Sequence, residues 1–323
     1  MLEIKMSMPD GLADIRYETA SDVGTGAWFN LVKPTAAELR IASELTGAGL
    51  GILRAALDQE ESSRIEFDVD DDRILIITNI PKKDETLPFG YDTIPLGIII
   101  SDKHFITVCL EETDVLSDFD AEHHRYFDTC KRTRFLFQIL YRTVVLYLKD
   151  IRILNRVTDD IEMALRRSMK NKELFLLLDM QKAMTYFTVS LRSNRSVIER
   201  LLRIFGNKSA HHIVKLREED EDLLEDVRIE YDQAIEMVQV HSDVLSSSMD
   251  AFASVISNNL NIVMKFLAAV TILMAIPTMI ASFFGMNVPI PWQGYENGFI
   301  LVMIVSVVLT IIASLALWMK KMF

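Results

Sequence analysis

The chain has 323 residues, a net charge of −12, and apolar side chains at half of its positions. Two cysteines in a chain of this length cannot form a disulfide framework, so we expect Cys109 and Cys130 to be buried small side chains. The acidic balance argues against a nucleic-acid partner, and the absence of a glycine-rich phosphate loop argues against a nucleotide. No nucleophile–base pair or metal triad can be assembled from the sequence, which argues against an enzyme.

Residues 1–120 alternate between short helical and strand-like patterns. Thr35 followed by Glu38 is typical of a capping box at the start of a helix. The patterns predict an α/β domain with a largely antiparallel sheet. β-branched runs separated by turn residues predict strands at 27–32, 64–69, 73–78, 96–100 and 104–109.

From about residue 121 onward the sequence is helical in character. Residues 121–214 predict a helical hairpin that packs on a following stalk helix, and its second helix covers about 172–205. The stalk segment, 215–285, has no proline before Pro277 and no glycine before Gly285. This pattern predicts one continuous helix with a length of about 100 Å at 1.5 Å per residue.

The C-terminal part of the chain is almost uncharged. Residues 1–264 carry 45 acidic and 31 basic side chains, whereas residues 266–319 carry only Glu296. Two apolar runs, about 266–284 and 299–319, match the roughly 20 residues that a helix needs to cross a bilayer. The sequence therefore predicts a two-helix transmembrane hairpin, with its first span at the end of the stalk helix.

Lysine positions predict the orientation of this hairpin. Lys265 precedes the first span and the basic end, 320–323, follows the second, whereas the loop 285–298 contains no Lys or Arg. Basic residues are retained on the cytoplasmic side of membranes, and the N-terminus lacks the apolar region of a signal peptide. We expect a multi-pass protein of the cell (plasma) membrane with both termini in the cytoplasm.

A polar stripe follows one face of the stalk helix in two heptad columns, where an ordinary coiled coil would carry an apolar seam. Close helix packing through small residues is one explanation for such a stripe. The other is a closed ring of identical copies around a water-filled axis, because lipid satisfies neither hydroxyls nor amides. The columns consist of Ser247, Asp250, Ser254, Ser257, Asn261, Met264, Ala268, Thr271, Ala275, Thr278, Ser282 and Gly285.

Gly285-Met286-Asn287 closes the first span, and Ser257–Leu267 precedes the span with a polar, asparagine-rich segment. With two C-terminal spans, these residues resemble the CorA family of divalent-cation channels, whose signature is that tripeptide. The resemblance covers the whole plan of the chain. It implies a funnel-shaped homopentamer that passes Mg²⁺, and also Co²⁺ or Ni²⁺, into the cell, with Mg²⁺ as cargo and regulatory ligand and no organic cofactor.

The same resemblance implies roles for individual residues. Gly285, Met286 and Asn287 would form the selectivity filter, and Asn287, Asn261 and Asp250 would hold the ion through its bound water. Mg²⁺ dehydrates reluctantly, so neutral amide oxygens suit such a site. The other implied pore-lining residues are Ser254, Ser257, Met264, Leu267, Ala268, Thr271, Ala275, Thr278 and Ser282.

The acidic run 218–222 at the foot of the stalk helix has two interpretations. One is a solvated helix N-terminus, where acids interact favourably with the dipole. The resemblance implies the other, in which cytoplasmic Mg²⁺ binds between subunits and closes the channel. Asp226 is then the sensor candidate, opposite Asp58, Glu60 or Glu61 of a neighbouring subunit.

Two alternatives remain open at this stage. The first is a zinc transporter of the ZntB kind, whose members usually vary the middle residue of the signature, so Met286 favours magnesium. The second is a membrane-anchored scaffold, in which the hairpin only tethers the acidic domain and does not conduct ions.

Overall fold

The computed structural model describes residues 1–9, 11–16, 23–68, 73–84, 86, 89–120, 122–123, 125–168, 171–206, 218–287 and 296–320. It divides into two compact units, Met1–Ser247 and Ser248–Phe323. The strands are β1 (Leu2–Met8), β2 (Gly11–Asp14), β3 (Trp28–Val32), β4 (Arg64–Asp68), β5 (Arg73–Asp84), β6 (Gly90–Ile100) and β7 (Phe105–Cys109). The helices are α1 (Ala36–Thr46), α2 (Leu50–Ala55), α3 (Asp114–Ser117), α4 (Arg132–Ser168), α5 (Asn171–Gly206), α6 (Glu218–Phe284) and α7 (Gly298–Met319).

The first unit is built on a seven-stranded sheet in the order β2-β1-β3-β7-β6-β5-β4. Every pairing is antiparallel except β3 with β7, which is parallel. The prediction of a largely antiparallel α/β domain is therefore confirmed, although β1 and β2 were not predicted. β5 and β6 also extend beyond their predicted runs through Pro81 and Pro95, because pairing continues on both sides of each proline.

Neighbouring residues of β3 point to opposite faces of the sheet and mark two cores. On one face Phe29 packs with α1 and α2 in a cluster that includes Leu39 and Leu53. On the other face the Trp28 ring lies 5.1 Å, between centroids, from Phe135 of α4. The capping box at Thr35 is confirmed, since its hydroxyl accepts from the Glu38 N–H at 3.3 Å.

The α4–α5 hairpin packs against the sheet as well as against α6. Its first helix begins at Arg132, eleven residues later than the helical composition predicts, and α5 contacts β4, β5 and β6. Of the two cysteines, Cys109 is buried as expected, but Cys130 is exposed. The expectation for Cys130 was wrong because this residue lies in the turn before α4, where no element covers it.

The predicted long helix is confirmed by α6, which is continuous through Pro277. Its first part contributes a seam of side chains that are at most 1% exposed, spaced by three, four or seven residues along one face. The seam consists of Leu224, Val227, Tyr231, Ala234, Val238 and Leu245. α6 and α7 are both long and apolar enough to cross a membrane.

Candidate functional site

Every member of the two polar columns of α6 is exposed in the single chain. This holds for Asp250 and Asn261, for the pore-lining candidates of the span, and for Leu267 beside them. The columns also continue toward the start of α6 at the same spacing, and all of these further members are exposed. They are Asp222, Asp226, Ile229, Gln233, Glu236, Val240 and Asp243. Sequence reasoning missed this continuation, although the heptad spacing alone would have found it.

The face of α6 that is covered inside the second unit is a different one. Ala269 is fully buried, and Leu273, Ile276 and Ile280 are half-buried. At 100° per residue these positions lie about 140° around the helix from the columns. The polar stripe is therefore not the surface that α6 uses for packing within this unit.

α7 provides a small-residue face of its own. Ser306, Thr310 and Ser314 are half-buried and recur every four residues, with the half-buried Ala313 beside them, whereas Trp318 is largely exposed. Small residues allow membrane helices to approach closely. On α6, Ala269 is the only fully buried residue among those described in the second unit.

The threonine hydroxyls of the stripe donate hydrogen bonds to backbone carbonyls of their own helix. Thr271 Oγ1 donates to the Leu267 carbonyl at 2.8 Å, and Thr278 Oγ1 donates to the Met274 carbonyl at 2.9 Å. A hydroxyl that donates in this way still has lone pairs free to accept. These oxygens can therefore accept hydrogen bonds from water, including water bound to a cation.

The signature residues follow directly on the end of α6. The Gly285 N–H donates to the Ala281 carbonyl at 2.9 Å, and the Met286 N–H donates to the Phe283 carbonyl at 3.3 Å. A Cβ at position 285 would lie 3.3 Å from the Ala281 oxygen, so a side chain there would crowd the helix end. Gly285, Met286 and Asn287 are exposed, and the next residues of the loop, 288–295, lie outside the described part of the chain.

The sensor candidates differ in their local partners. Asp226, Asp58 and Glu60 are exposed, whereas Glu61 accepts a hydrogen bond from the Arg64 guanidinium and is half-buried. Next to Asp226, hydrogen bonding to Arg228 holds the pKa of the Glu225 carboxyl below its usual value. Within the described residues, no three His, Cys, Asp or Glu side chains of one chain are grouped to hold a metal.

An α/β unit, a 67-residue helix and a second apolar helix define a class of membrane protein with a large domain outside the bilayer. The family described as CorA-like Mg²⁺ transporter protein matches residues 24–321. The chain belongs to this family, as the signature tripeptide and the two spans predicted, and magnesium and cobalt transport is the activity associated with it.

Three comparisons show how far the likeness extends. The chain is 28% identical over 295 residues to the cobalt/magnesium transport protein CorA of Methanocaldococcus jannaschii, covering 88% of this chain and 87% of that protein. The complete structure of the CorA magnesium transporter from the same organism matches with a TM-score of 0.79 at 26% identity, covering 97% and 96% of the two chains. The cytoplasmic domain of ZntB from Vibrio parahaemolyticus matches 77% of this chain and 98% of its own, with a TM-score of 0.51 at 13% identity, which shows a shared fold alone.

Proposed function

We propose that this chain forms a homopentameric channel in the plasma membrane that conducts Mg²⁺, and also Co²⁺ and Ni²⁺, into the cell. Membership of the CorA-like Mg²⁺ transporter family supports the cargo. The observation that carries the proposal is the polar face of α6, which is exposed along its whole length while a different face of the helix is covered. The two spans of one chain cannot enclose a pore. This face of α6 can therefore line a water-filled pore only if several subunits assemble in a ring.

The residues on the face suit a hydrated divalent ion. Asn287 and Asn261 offer neutral amide oxygens that accept hydrogen bonds from the water shell of Mg²⁺, and Thr271 and Thr278 add hydroxyl oxygens between them. Conduction requires several weak sites rather than one tight site. Asp250 adds a ring of carboxylates below the span, where it raises the local concentration of cations. A membrane potential of 100 mV, negative inside, drives a divalent ion inward by about 4.6 kcal/mol.

Closure by intracellular Mg²⁺ is the second part of the proposal. Residues 1–264 carry a net charge of −14 in each subunit, so neighbouring subunits repel one another electrostatically. Mg²⁺ between Asp226 of one subunit and Asp58 or Glu60 of the next would relieve this repulsion and hold the ring shut. The exposure of all three side chains supports this pairing, whereas the bond of Glu61 to Arg64 makes Glu61 the weaker candidate. With the loop 285–298 outside, both termini lie in the cytoplasm with the sensor.

The test is ion uptake by the purified chain in liposomes that carry a K⁺ diffusion potential, negative inside. We expect Mg²⁺ uptake that rises with the potential and falls when millimolar Mg²⁺ is present in the liposome lumen, on the side of the first unit that carries the proposed sensor. Native mass spectrometry should give five copies per particle. Uptake of Zn²⁺ but not of Mg²⁺ would instead indicate a zinc transporter of the ZntB kind. If no cation is taken up, the chain is a membrane-anchored scaffold that does not conduct ions.

A further inference from the structure

A cleft of about 890 Å³ lies between the end of β1 and the start of α4 in the first unit. Clefts that hold organic ligands measure about 300–1,000 Å³. One wall is the end of β1, and the other is the segment 125–134, which leads into α4. We call it the β1–α4 cleft. The basic side chains that line it are Arg125, Lys131 and Arg134.

The charge of the β1–α4 cleft is opposite to that of the chain around it. Residues 1–264 carry 31 basic and 45 acidic side chains, a net charge of −14. Arg125 and Lys131 are exposed, and neither forms an ion pair with a residue that the structure describes. Arg134 donates to the Glu219 carboxylate at 2.9 Å. Such an exposed pair adds little stability, so another anion can take the place of Glu219.

Asp128 is the only acid among the described residues that line the cleft. Its Oδ1 accepts from the Cys130 N–H at 2.9 Å, in the turn before α4. Three cationic side chains and one carboxylate leave an excess of positive charge. Arginine and lysine are also the side chains that proteins use to bind phosphate groups.

The segment that carries Tyr126 is fixed by hydrogen bonds on several sides. The Ser7 N–H donates to Thr129 Oγ1 at 2.9 Å, and the Thr129 N–H donates to Ser7 Oγ at 3.0 Å. The Tyr126 N–H donates to the His123 carbonyl at 2.9 Å, and the Gln138 amide donates to the Tyr126 carbonyl at 2.8 Å. A wall held in this way loses little conformational freedom when a ligand binds.

Tyr126 and its neighbour Phe127 have opposite surroundings. Phe127 is buried and stacks on Phe135 with ring centroids 5.5 Å apart, whereas Tyr126 is 78% exposed and lines the cleft. An exposed aromatic ring beside basic side chains can stack on a nucleotide base while the cations bind its phosphates. The lack of a glycine-rich phosphate loop argues against a backbone cradle for the phosphates, but not against recognition by side chains.

We propose that the β1–α4 cleft binds a nucleoside triphosphate, with the phosphates on Arg125, Lys131 and Arg134 and the base stacked on Tyr126. Three cationic side chains suit a ligand with several negative charges, and the exposed ring suits one that also carries an aromatic base. This inference goes beyond the proposed function. It assigns a soluble anion to the first unit and requires no passage of ions.

The test is calorimetric titration of the purified full chain in detergent, with EDTA present so that no Mg²⁺ contributes. The probes are ATP, inorganic triphosphate and adenosine. We expect saturable binding of ATP, with triphosphate and adenosine each bound at least about tenfold more weakly, because each lacks one of the two contacts. The affinity for ATP should fall as salt is added, since salt screens the charges.

Variants separate the two contacts. Arg125→Gln combined with Lys131→Gln should weaken ATP and triphosphate alike by at least about tenfold. Tyr126→Leu removes the ring but no charge, so it should weaken ATP at least about threefold and leave triphosphate unchanged. The matched control is Arg152→Gln combined with Arg156→Gln, at two exposed positions of α4 outside the cleft, which changes the net charge equally and should leave ATP affinity unchanged.

Thermal unfolding checks that the variants are folded. All of the substituted side chains are exposed, so the melting temperatures without ligand should match that of the wild type. ATP should raise the melting temperature of the wild type and of the control, but not of the variant that lacks Arg125 and Lys131.

Three results would overturn the inference. The first is a wild-type chain that shows no saturable binding of ATP. The second is an equal loss of ATP affinity in the Arg152 and Arg156 control, and the third is triphosphate that binds as tightly as ATP. None of them bears on ion conduction, which uptake into liposomes measures separately.

Discussion

The Tyr91 hydroxyl lies 3.4 Å from Asp150 Oδ1, where the β5–β6 hairpin meets α4. The pKa of Asp150 is raised from 3.8 to about 6, chiefly by burial and to a lesser extent by the Asp114 carboxylate, while Lys149 and the Tyr91 hydroxyl act against the shift. Because the folded pKa exceeds the unfolded one, the proton bound by Asp150 stabilises the fold fully below about pH 4. That stabilisation is lost as the pH rises through about 6.

Replacing Asp150 with asparagine should therefore stabilise the protein at neutral and alkaline pH. The ionised carboxylate costs up to about 3 kcal/mol there, at 1.36 kcal/mol per pKa unit. We expect Asp150→Asn to raise the melting temperature at pH 8 and to give little gain at pH 4. Asp160→Asn, at an exposed site on the same helix, is the control. An equal gain for Asp150→Asn at both pH values would contradict the assignment.

Gly97 of β6 marks a close approach between the sheet and the end of α2. A Cβ at this position would lie 2.6 Å from the Ala56 Cβ, which cannot move aside as a long side chain could. Gly97→Ala should lower the free energy of unfolding by about 1–3 kcal/mol, measured by chemical denaturation. Gly51→Ala is the matched control, because a Cβ there meets nothing within 4 Å, and it should be neutral or slightly stabilising. Equal effects of the two changes would argue against the close contact.

Asn287→Ala should abolish most of the Mg²⁺ uptake in liposomes. The change removes the amide oxygens that we place at the outer entrance and leaves the packing of α6 untouched, since the side chain is exposed. Asn297→Ala removes an amide from the same loop, where the side chain makes no capping hydrogen bond to α7, and should retain uptake. If the Asn287→Ala variant retained Mg²⁺ uptake, Asn287 would not be part of the selectivity filter.

Asp250→Ala should reduce Mg²⁺ uptake most strongly at low ionic strength. The carboxylate concentrates cations below the span through an interaction that salt screens, with a Debye length of about 10 Å at 0.1 M. Glu221→Ala removes an exposed acid of α6 outside the two columns and serves as the comparison. Identical uptake by the Asp250 variant and the wild type at every salt concentration would place Asp250 outside the pathway.

Asp226→Asn should weaken closure by Mg²⁺. Loss of the charge removes one ligand from the proposed intersubunit site, so more Mg²⁺ is needed to protect the first unit from protease and to stop uptake. The exposed Asp160 of α4, which lies outside the acidic run and outside the columns, provides the control as Asp160→Asn. Unchanged protease protection in Asp226→Asn would exclude it as a sensor.

Local patterns in the sequence were enough to predict the α/β domain, α6 and both candidate spans. The polar columns of α6 follow from spacing alone, and so did the capping box at Thr35. The predicted start of the first hairpin helix was wrong because the residues before Arg132 are also helical in composition. Of these, the ones that the structure describes, 122–123 and 125–131, form bends, turns and loop. The strands β5 and β6 were predicted too short because a proline usually ends a strand. In the structure their pairing continues through Pro81 and Pro95.

The sequence by itself determined where the chain is apolar, where it is acidic, and which face of α6 is polar, because periodicity and charge are properties of neighbours along the chain. Only the tertiary structure decided that Asn79 and Asn194, 115 residues apart, complete one edge of the sheet, and that Glu61 is engaged by Arg64 while Asp226 remains exposed. The physical reason is that a buried hydrogen bond depends on distance and desolvation, which folding sets between residues that no local pattern connects.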